Sequence, residues 1–198
     1  MPQPLCHLLF DVMSTLVYDP IHEEIPTFFG LTLQELYDQK HPTAWQEFER
    51  GEISEQTFYT TYFPMRTEPV DATALRRVLA DAYRWLPGVE ELLQQLAEQG
   101  RPLHAFSNYP VWYEIIDEQL GLSRYLDWTF VSCNTGIRKP DPRAYLNAAD
   151  HLGVAPSRCL FIDDRQKNCD AAIAVGMDAI RFTSAPQLRR ELSIRSLL

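Results

Sequence analysis

Three shortages in the 198-residue chain narrow its possible roles before any motif is read. It lacks a long apolar run: nothing approaches the roughly 18 to 20 residues that a membrane-spanning helix needs. The first ten residues carry no basic segment and too short an apolar stretch for a secretory signal. Cationic side chains are also scarce, with 18 Lys and Arg against 27 Asp and Glu, for a formal net charge of −9. That balance excludes the clustered-cation footprint of a nucleic-acid binder and adhesion to an anionic membrane surface. Cysteine is sparse and scattered: Cys6, Cys133, Cys159 and Cys169 form no C-x-x-C pair and have no His at zinc-ligand spacing. They are expected to be reduced and packed as small hydrophobes. Repeats and low-complexity segments are absent too. A soluble protein of a reducing, cytoplasmic compartment is expected.

With 45% hydrophobic and 23% charged residues, the chain can bury the core of one ordinary domain or of a domain with a modest insertion. Leu5 to Phe10 is a short apolar run that fits a buried strand and ends at Asp11. From about Leu16 to Tyr83 the texture is helical and aromatic. Thr32 and Asp71 stand at N-cap positions, and Ser54 to Thr57 resembles a capping box. No strand is expected there. Beyond Pro87, helices and strands alternate. Helices are expected over Val89–Gln99, Val111–Leu120, Pro142–Leu152, Asn168–Val175 and Pro186–Ile194, the last capped by Ser184. Strands are expected over Leu103–Phe106, Trp128–Ser132, Cys159–Ile162 and Ala179–Phe182. Such alternation indicates an α/β fold, a parallel sheet with helices on both faces, interrupted after its first strand by an all-helical insertion.

Ligands of open parallel sheets bind at the C-terminal strand ends. There the first strand delivers Asp11, the second Ser107 and Asn108, and the fourth Asp163 and Asp164, while Lys139 follows the third. Carboxylates grouped so closely repel one another unless they share a cation. A hard divalent ion with oxygen ligands, Mg²⁺ above all, fits them. Lys139 would neutralise an anionic substrate or the nucleophile's charge, and Ser107 with nearby N–H groups would hold substrate oxygens.

Four segments, in this order, resemble the motifs of the haloacid dehalogenase-like hydrolase superfamily. They are Phe10-Asp11-Val12-Met13-Ser14-Thr15-Leu16, Phe106-Ser107-Asn108, Lys139-Pro140-Asp141-Pro142 and Phe161-Ile162-Asp163-Asp164, followed by Asn168, Ala172 and Gly176. Phe48 to Ser54 is similar to the helical cap of one large subgroup. The resemblance implies a Rossmann-like catalytic core (residues 1–15 and 86–198) beneath a helical cap (residues 16–85). It implies that Asp11 is the nucleophile and forms an aspartyl-phosphate that water later hydrolyses. It also implies that Mg²⁺ is held by Asp11, the Met13 carbonyl and Asp164, with Asp163 acting directly or through water. Ser107 and Asn108 would bind the phosphoryl group, and Lys139 would offset its charge.

At one position the chain departs from that family's phosphatases, whose second motif Asp protonates the leaving alcohol: Met13 stands there, and a thioether donates no proton. Such help is worth about 10² to 10⁴ in rate. Three readings therefore remain open. They are a phosphatase that takes its proton elsewhere, a non-catalytic descendant that binds a phosphorylated ligand or a partner, and a 2-haloacid dehalogenase, whose halide leaves unprotonated. The paired Asp163 and Asp164 favour the first, because dehalogenases of this type work without a metal. Asp19-Pro20, Pro26 to Gly30, Lys40 to Glu49 and His104 to Tyr113 further resemble the plant and cyanobacterial branch that dephosphorylates flavin mononucleotide (FMN). The expected substrate is thus a small phosphorylated metabolite, with FMN the candidate. Trp45 and Tyr109 are the rings to examine for stacking, and His41 and Arg50 the cap residues to examine for substrate contact. That branch adds the plastid stroma, for a trimmed plant-type chain, as a second expected compartment.

Overall fold

The computed structural model describes residues 6–66 and 68–198; the expected strand start at Leu5 lies outside them. Strand β1 (His7–Phe10) shows why the first apolar run folds as it does. Leu8 and Phe10 enter one hydrophobic cluster while Leu9 enters another, so alternate residues serve both faces of a doubly covered strand. After it come five helices, α1 (Glu24–Phe28), α2 (Leu33–Gln39), α3 (Ala44–Glu49), α4 (Glu55–Thr61) and α5 (Ala72–Ala82). The rest of the chain supplies α6 (Val89–Glu98), β2 (Leu103–Ser107), α7 (Tyr113–Leu120), β3 (Asp127–Val131) and α8 (Ser132–Thr135). It ends with α9 (Pro142–His151), β4 (Cys159–Asp163), α10 (Gln166–Ala174), β5 (Asp178–Arg181) and α11 (Ala185–Ile194).

The five strands are all parallel, in the order β3-β2-β1-β4-β5. Apolar residues of α6, α7 and α11 cover one face, and those of α9 and α10 the other. The fold is therefore the α/β, Rossmann-like sheet expected. The chain runs outward from β1 to β2 and β3, then returns to add β4 and β5 on the other side. The reversal point lies between β1 and β4, where such sheets open a crevice for ligands.

Local signals account for most element ends. Thr32 and Glu35 form a reciprocal capping box, and Asp71 and Ser184 accept from the N–H groups of Ala74 and Gln187. At Ser54 only half a box forms. Its hydroxyl accepts from Thr57 N–H, but Thr57 has no carboxylate to reach back. Helix α7 starts two residues later than expected, because the Pro110 carbonyl first takes Tyr113 N–H in a turn. The four-residue α8 and the five-residue α1 are too short to leave a periodic signal.

The α1–α5 insertion packs on the sheet domain through one continuous apolar cluster. Phe48 and Phe58 stack at 4.5 Å and both pack edge-on against the buried Trp112 of the core. The two connecting segments run side by side, Tyr18 N–H donating to Arg84 O and Leu86 N–H to Leu16 O. Gly51 lies against the sheet domain with φ +69°, and a β-carbon there would overlap the Cys133 carbonyl oxygen. Gly51→Ala is expected to cost about 3 kcal/mol of unfolding free energy in urea titration, from left-handed strain plus the clash. Gly30→Ala, at the same φ of +69° but with nothing within 4 Å, pays the backbone term alone, about 1 kcal/mol.

Candidate active site

Asp11 emerges from β1 and Asp163 closes β4, so the reversal point places their carboxylates side by side. Lys139 reaches between them from the loop before α9. Its Nζ donates to Asp11 Oδ1 at 2.7 Å, Asp163 Oδ2 at 2.8 Å and the Phe106 carbonyl. Lys139 is 2% exposed, its ammonium within 5.3 Å of the Phe106 and 5.1 Å of the Phe161 ring centres. Burial alone would lower its pKa, but the two carboxylates more than offset this and hold it above its ordinary value. It stays charged. Burial pushes the Asp11 carboxyl up to about 7, with Lys139 pulling it down and Asp163 adding to the rise. A further cation at this point would keep Asp11 ionised.

The neighbours of this triad hold it in place. Asn108 clamps the Lys139 backbone from both sides, Nδ2 donating to its carbonyl and Oδ1 accepting its N–H, each at 2.8 Å. The Lys139–Pro140 peptide is cis. Thr15 donates to Asp11 Oδ2 and accepts from Asp164 N–H, both at 3.1 Å, which ties the β1 loop to the β4 loop. That β1 loop is tightly wound: the Val12 carbonyl accepts from Leu16 and Val17, and Ser14 takes φ +61°. Asp163 is fully buried and accepts from Lys139, from Arg165 N–H and from Asn168 Nδ2 at both oxygens. Asn168 is thus a structural hydrogen bonder that steadies this carboxylate.

These constraints refine the expected roles. Asp11, Asp163 and Asp164 each offer a carboxylate oxygen, all within 4.8 Å of one another, an all-oxygen set suited to a hard divalent ion. Asp163 already has its full complement of donors, whereas Asp164 is half-buried and less committed. The Met13 carbonyl accepts no hydrogen bond among the described residues. Ser107 Oγ is buried with no hydrogen-bond partner among the described residues; it adjoins the cleft-lining Asn108 without itself lining the cleft. The Asn108 amide, by contrast, commits its oxygen and one N–H to the Lys139 backbone. Its side chain positions that lysine, and the residue also lines the cleft over Asp11.

A cleft of about 310 Å³ opens over Asp11 and is roofed by the helical insertion. Trp45, Tyr62, Tyr109 and Tyr37 give it aromatic walls, and Lys40, Arg138, Arg165 and Lys167 line it beside Lys139. Five cations thus face three carboxylates (Asp11, Asp19 and Glu49) in a protein whose overall charge is −9. Such local inversion draws anions into the cleft. Buried Glu49 pairs with Arg138 at 2.6 Å and accepts the Trp45 indole N–H at 2.6 Å. Trp45 therefore does line the cleft. Tyr109 also lines it but is buried, its hydroxyl joined to that of Tyr83. His41 and Arg50 are not among the lining residues. His41 Nδ1 accepts from Thr43 and Ala44 N–H, and Arg50 pairs with Glu52.

Sequence reading did not single out Tyr37, Glu49, Arg138, Arg165 or Lys167 as site residues. Only the Ile137-Arg138-Lys139 run gave a local cue, for Arg138. The others reach the cleft through packing of the insertion or the start of α10, which no spacing rule encodes.

The comparisons agree with this geometry. The haloacid dehalogenase-like hydrolase family model matches residues 7–176. The chain is 46% identical over 186 residues to the chloroplastic flavin mononucleotide hydrolase 1 of Arabidopsis thaliana, covering 94% of this chain and 76% of that protein. A probable phosphoglycolate phosphatase of Pseudomonas putida is 31% identical over 49% of this chain and 39% of its own length. Among solved structures, a HAD-family enzyme of Bacteroides thetaiotaomicron, crystallised with magnesium and inorganic phosphate, superposes with a TM-score of 0.77 at 18% identity, covering 91% of this chain and 96% of that one. With the four motifs gathered at one sheet edge, the family model spanning most of the chain assigns it: this protein belongs to the haloacid dehalogenase-like hydrolases.

Proposed function

We propose that the protein is a Mg²⁺-dependent phosphomonoester hydrolase that works through an aspartyl-phosphate on Asp11, with FMN as substrate. The observation that carries the reading is the buried Lys139 ammonium bridging Asp11 and Asp163 beneath a cationic, aromatic cleft. Asp11 and Asp164, with the unspent Met13 carbonyl, would hold the ion; Asp163 would act on it through water. When bound, the ion would supply positive charge that offsets the anionic phosphoryl group. Asp11 attacks phosphorus in line and the alcohol departs. Lys139 and the Ser107 hydroxyl carry the charge that builds on the phosphoryl oxygens, and water then cleaves the acyl phosphate.

The flavin assignment draws on the named relative and on the aromatic walls to which Trp45 and Tyr37 contribute. The division into a core of residues 1–15 with 86–198 and a cap of residues 16–85 belongs to the same reading. It is supported by the paired connectors at residues 16–18 and 84–86.

The test is phosphate release from FMN and from p-nitrophenyl phosphate, with and without chelator. Both activities are expected to stop with EDTA and return with Mg²⁺. Halide release from a 2-haloacid that survives EDTA would establish the dehalogenase instead. If neither ester is cleaved while calorimetry shows Mg²⁺ bound, the non-catalytic reading takes its place.

A further inference from the structure

Replacement of the usual acid by Met13 leaves a chemical gap in the proposed reaction: an alkoxide leaving group needs a proton, and the thioether at the cleft wall has none. A donor has to touch the departing oxygen, so it must line the same cleft as Asp11.

Few groups there are free to serve. Asp11 is the attacking group, and Glu49 is paired to Arg138 and hydrogen-bonded to Trp45. Asp163 is saturated, and Asp164 belongs to the cation cluster. Burial pushes the Tyr62 and Tyr109 phenols well above their ordinary value, and Tyr109 is tied to Tyr83. Lys40 sits at the rim, near the exposed Tyr37 ring.

Asp19 is different. It lies on the connector from the β1 loop to the insertion, at the start of the short turn Pro20–His22. Oδ1 accepts from Ile21 N–H at 3.0 Å. Oδ2 has no hydrogen-bond partner, and no cation pairs with the carboxyl, among the described residues. Asp19 lines the cleft with Asp11 and Met13.

We propose that Asp19 is the general acid that protonates the leaving alcohol, in place of the residue Met13 has displaced. This rests on the hydrolase reading above. In the first step the Asp11 oxygen–phosphorus bond forms, the phosphorus–alcohol bond breaks with its electron pair on the alcohol oxygen, and the Asp19 proton goes to that oxygen. In the second step water attacks phosphorus, gives its proton back to the Asp19 carboxylate, and the bond to Asp11 breaks. The environment suits both roles. Burial holds the Asp19 carboxyl above its ordinary value, against the downward pull of Ile21 N–H, His22 and Arg165, and Glu24 adds a smaller rise. Asp11, Lys139, Lys40, Lys167, Arg138 and Glu49 are the other charged groups lining the cleft, and the Tyr83 and Tyr109 phenols lie near enough to feel the charge of Asp19.

The experiment measures leaving-group release in the first turnover, with Mg²⁺-loaded enzyme in excess, from FMN, phenyl phosphate and p-nitrophenyl phosphate. Asp19→Asn keeps an oxygen for the Ile21 N–H, and Asp19→Ser is a second, chemically different cap; neither is an acid. Both variants are expected to slow FMN cleavage about 10²-fold. Phenyl phosphate should slow about tenfold, and p-nitrophenyl phosphate, whose anion leaves unaided, by less than about threefold. In the unaltered enzyme, a solvent deuterium isotope effect should accompany FMN and phenyl phosphate but not the nitrophenyl ester.

Equal loss on all three esters would make Asp19 a structural residue and overturn the proposal. No loss on any, or no isotope effect in the unaltered enzyme, would do the same. If the unaltered enzyme cleaves only the aryl esters, the flavin assignment falls while the phenyl and nitrophenyl pair still decides the role of Asp19. If it cleaves none, the hydrolase reading fails and takes the acid with it.

Discussion

Asp11→Asn is expected to lower turnover of every phosphomonoester at least about 10⁴-fold, equivalent to about 5 kcal/mol of barrier. The amide keeps the shape of the carboxylate; its one oxygen can still accept from Lys139, and its Nδ2 can donate to the Thr15 hydroxyl that donated to Asp11 Oδ2, so the loss is one of nucleophilicity and not of folding. Stability should move the other way. The site gathers three carboxylates within 4.8 Å around a single buried ammonium, and removing one negative charge relieves repulsion that the fold tolerates for function. Thermal melts in EDTA should therefore show Asp11→Asn at or above the parent melting temperature. The increment that Mg²⁺ gives the parent should shrink in the variant, since one ligand is gone. A variant that melts well below the parent without metal would contradict this account of the site's electrostatics.

Lys139→Met carries the second large effect, and here stability and activity fall together. The ammonium is the shared donor for Asp11, Asp163 and the Phe106 carbonyl, in a site almost closed to solvent. Taking away one member of a buried ionic set strands the others, at about 3 to 5 kcal/mol. For a chain of this length that is roughly 10 °C in melting temperature. Mg²⁺ should recover part of the loss by taking over the orphaned Asp11. Turnover should fall about 10² to 10³-fold even when the variant is folded and metal-loaded, because a fixed charge aimed at the transferring group is lost. Lys139→Arg should not rescue it: the planar guanidinium is larger, and Asn108 fixes the backbone from which it would have to reach. A melting temperature unchanged in EDTA would mean that the ion pairs add nothing to the fold.

How far the site was legible from the chain depends on how each residue reaches it. Asp11, Ser107, Lys139, Asp163 and Asp164 end a strand, follow directly on one or precede a helix, so the alternation of elements fixes which end of the sheet they occupy. Their convergence follows from topology alone. The functions of Asn108 and Asp163 do not. Their side chains could have pointed at a ligand, and only the geometry shows the Asn108 amide on the Lys139 backbone and four donor contacts on Asp163. Tyr37, Lys40 and Lys167 were illegible for a different reason. Tyr37 and Lys40 sit on or just after α2 of the insertion and Lys167 at the start of α10, and which of them meets the cleft depends on how the insertion seats over the sheet. The same holds for the ring candidates. Trp45 does stand on the wall, whereas Tyr109 is held by Tyr83.

The aromatic cluster under the insertion also governs how this protein can change. Trp45 packs at once against Phe58, Tyr109 and Trp112, bonds to Glu49, and faces the cleft. The inner wall that would discriminate between ligands is thus the same material that anchors the lid to its base. Altering that wall to suit a new compound would loosen the attachment, so selectivity and robustness are inherited together there. The rim is not bound in this way. Exposed Tyr37 and Lys167 can vary without disturbing the anchor, and divergence in ligand preference among descendants of this chain would be expected to begin with them.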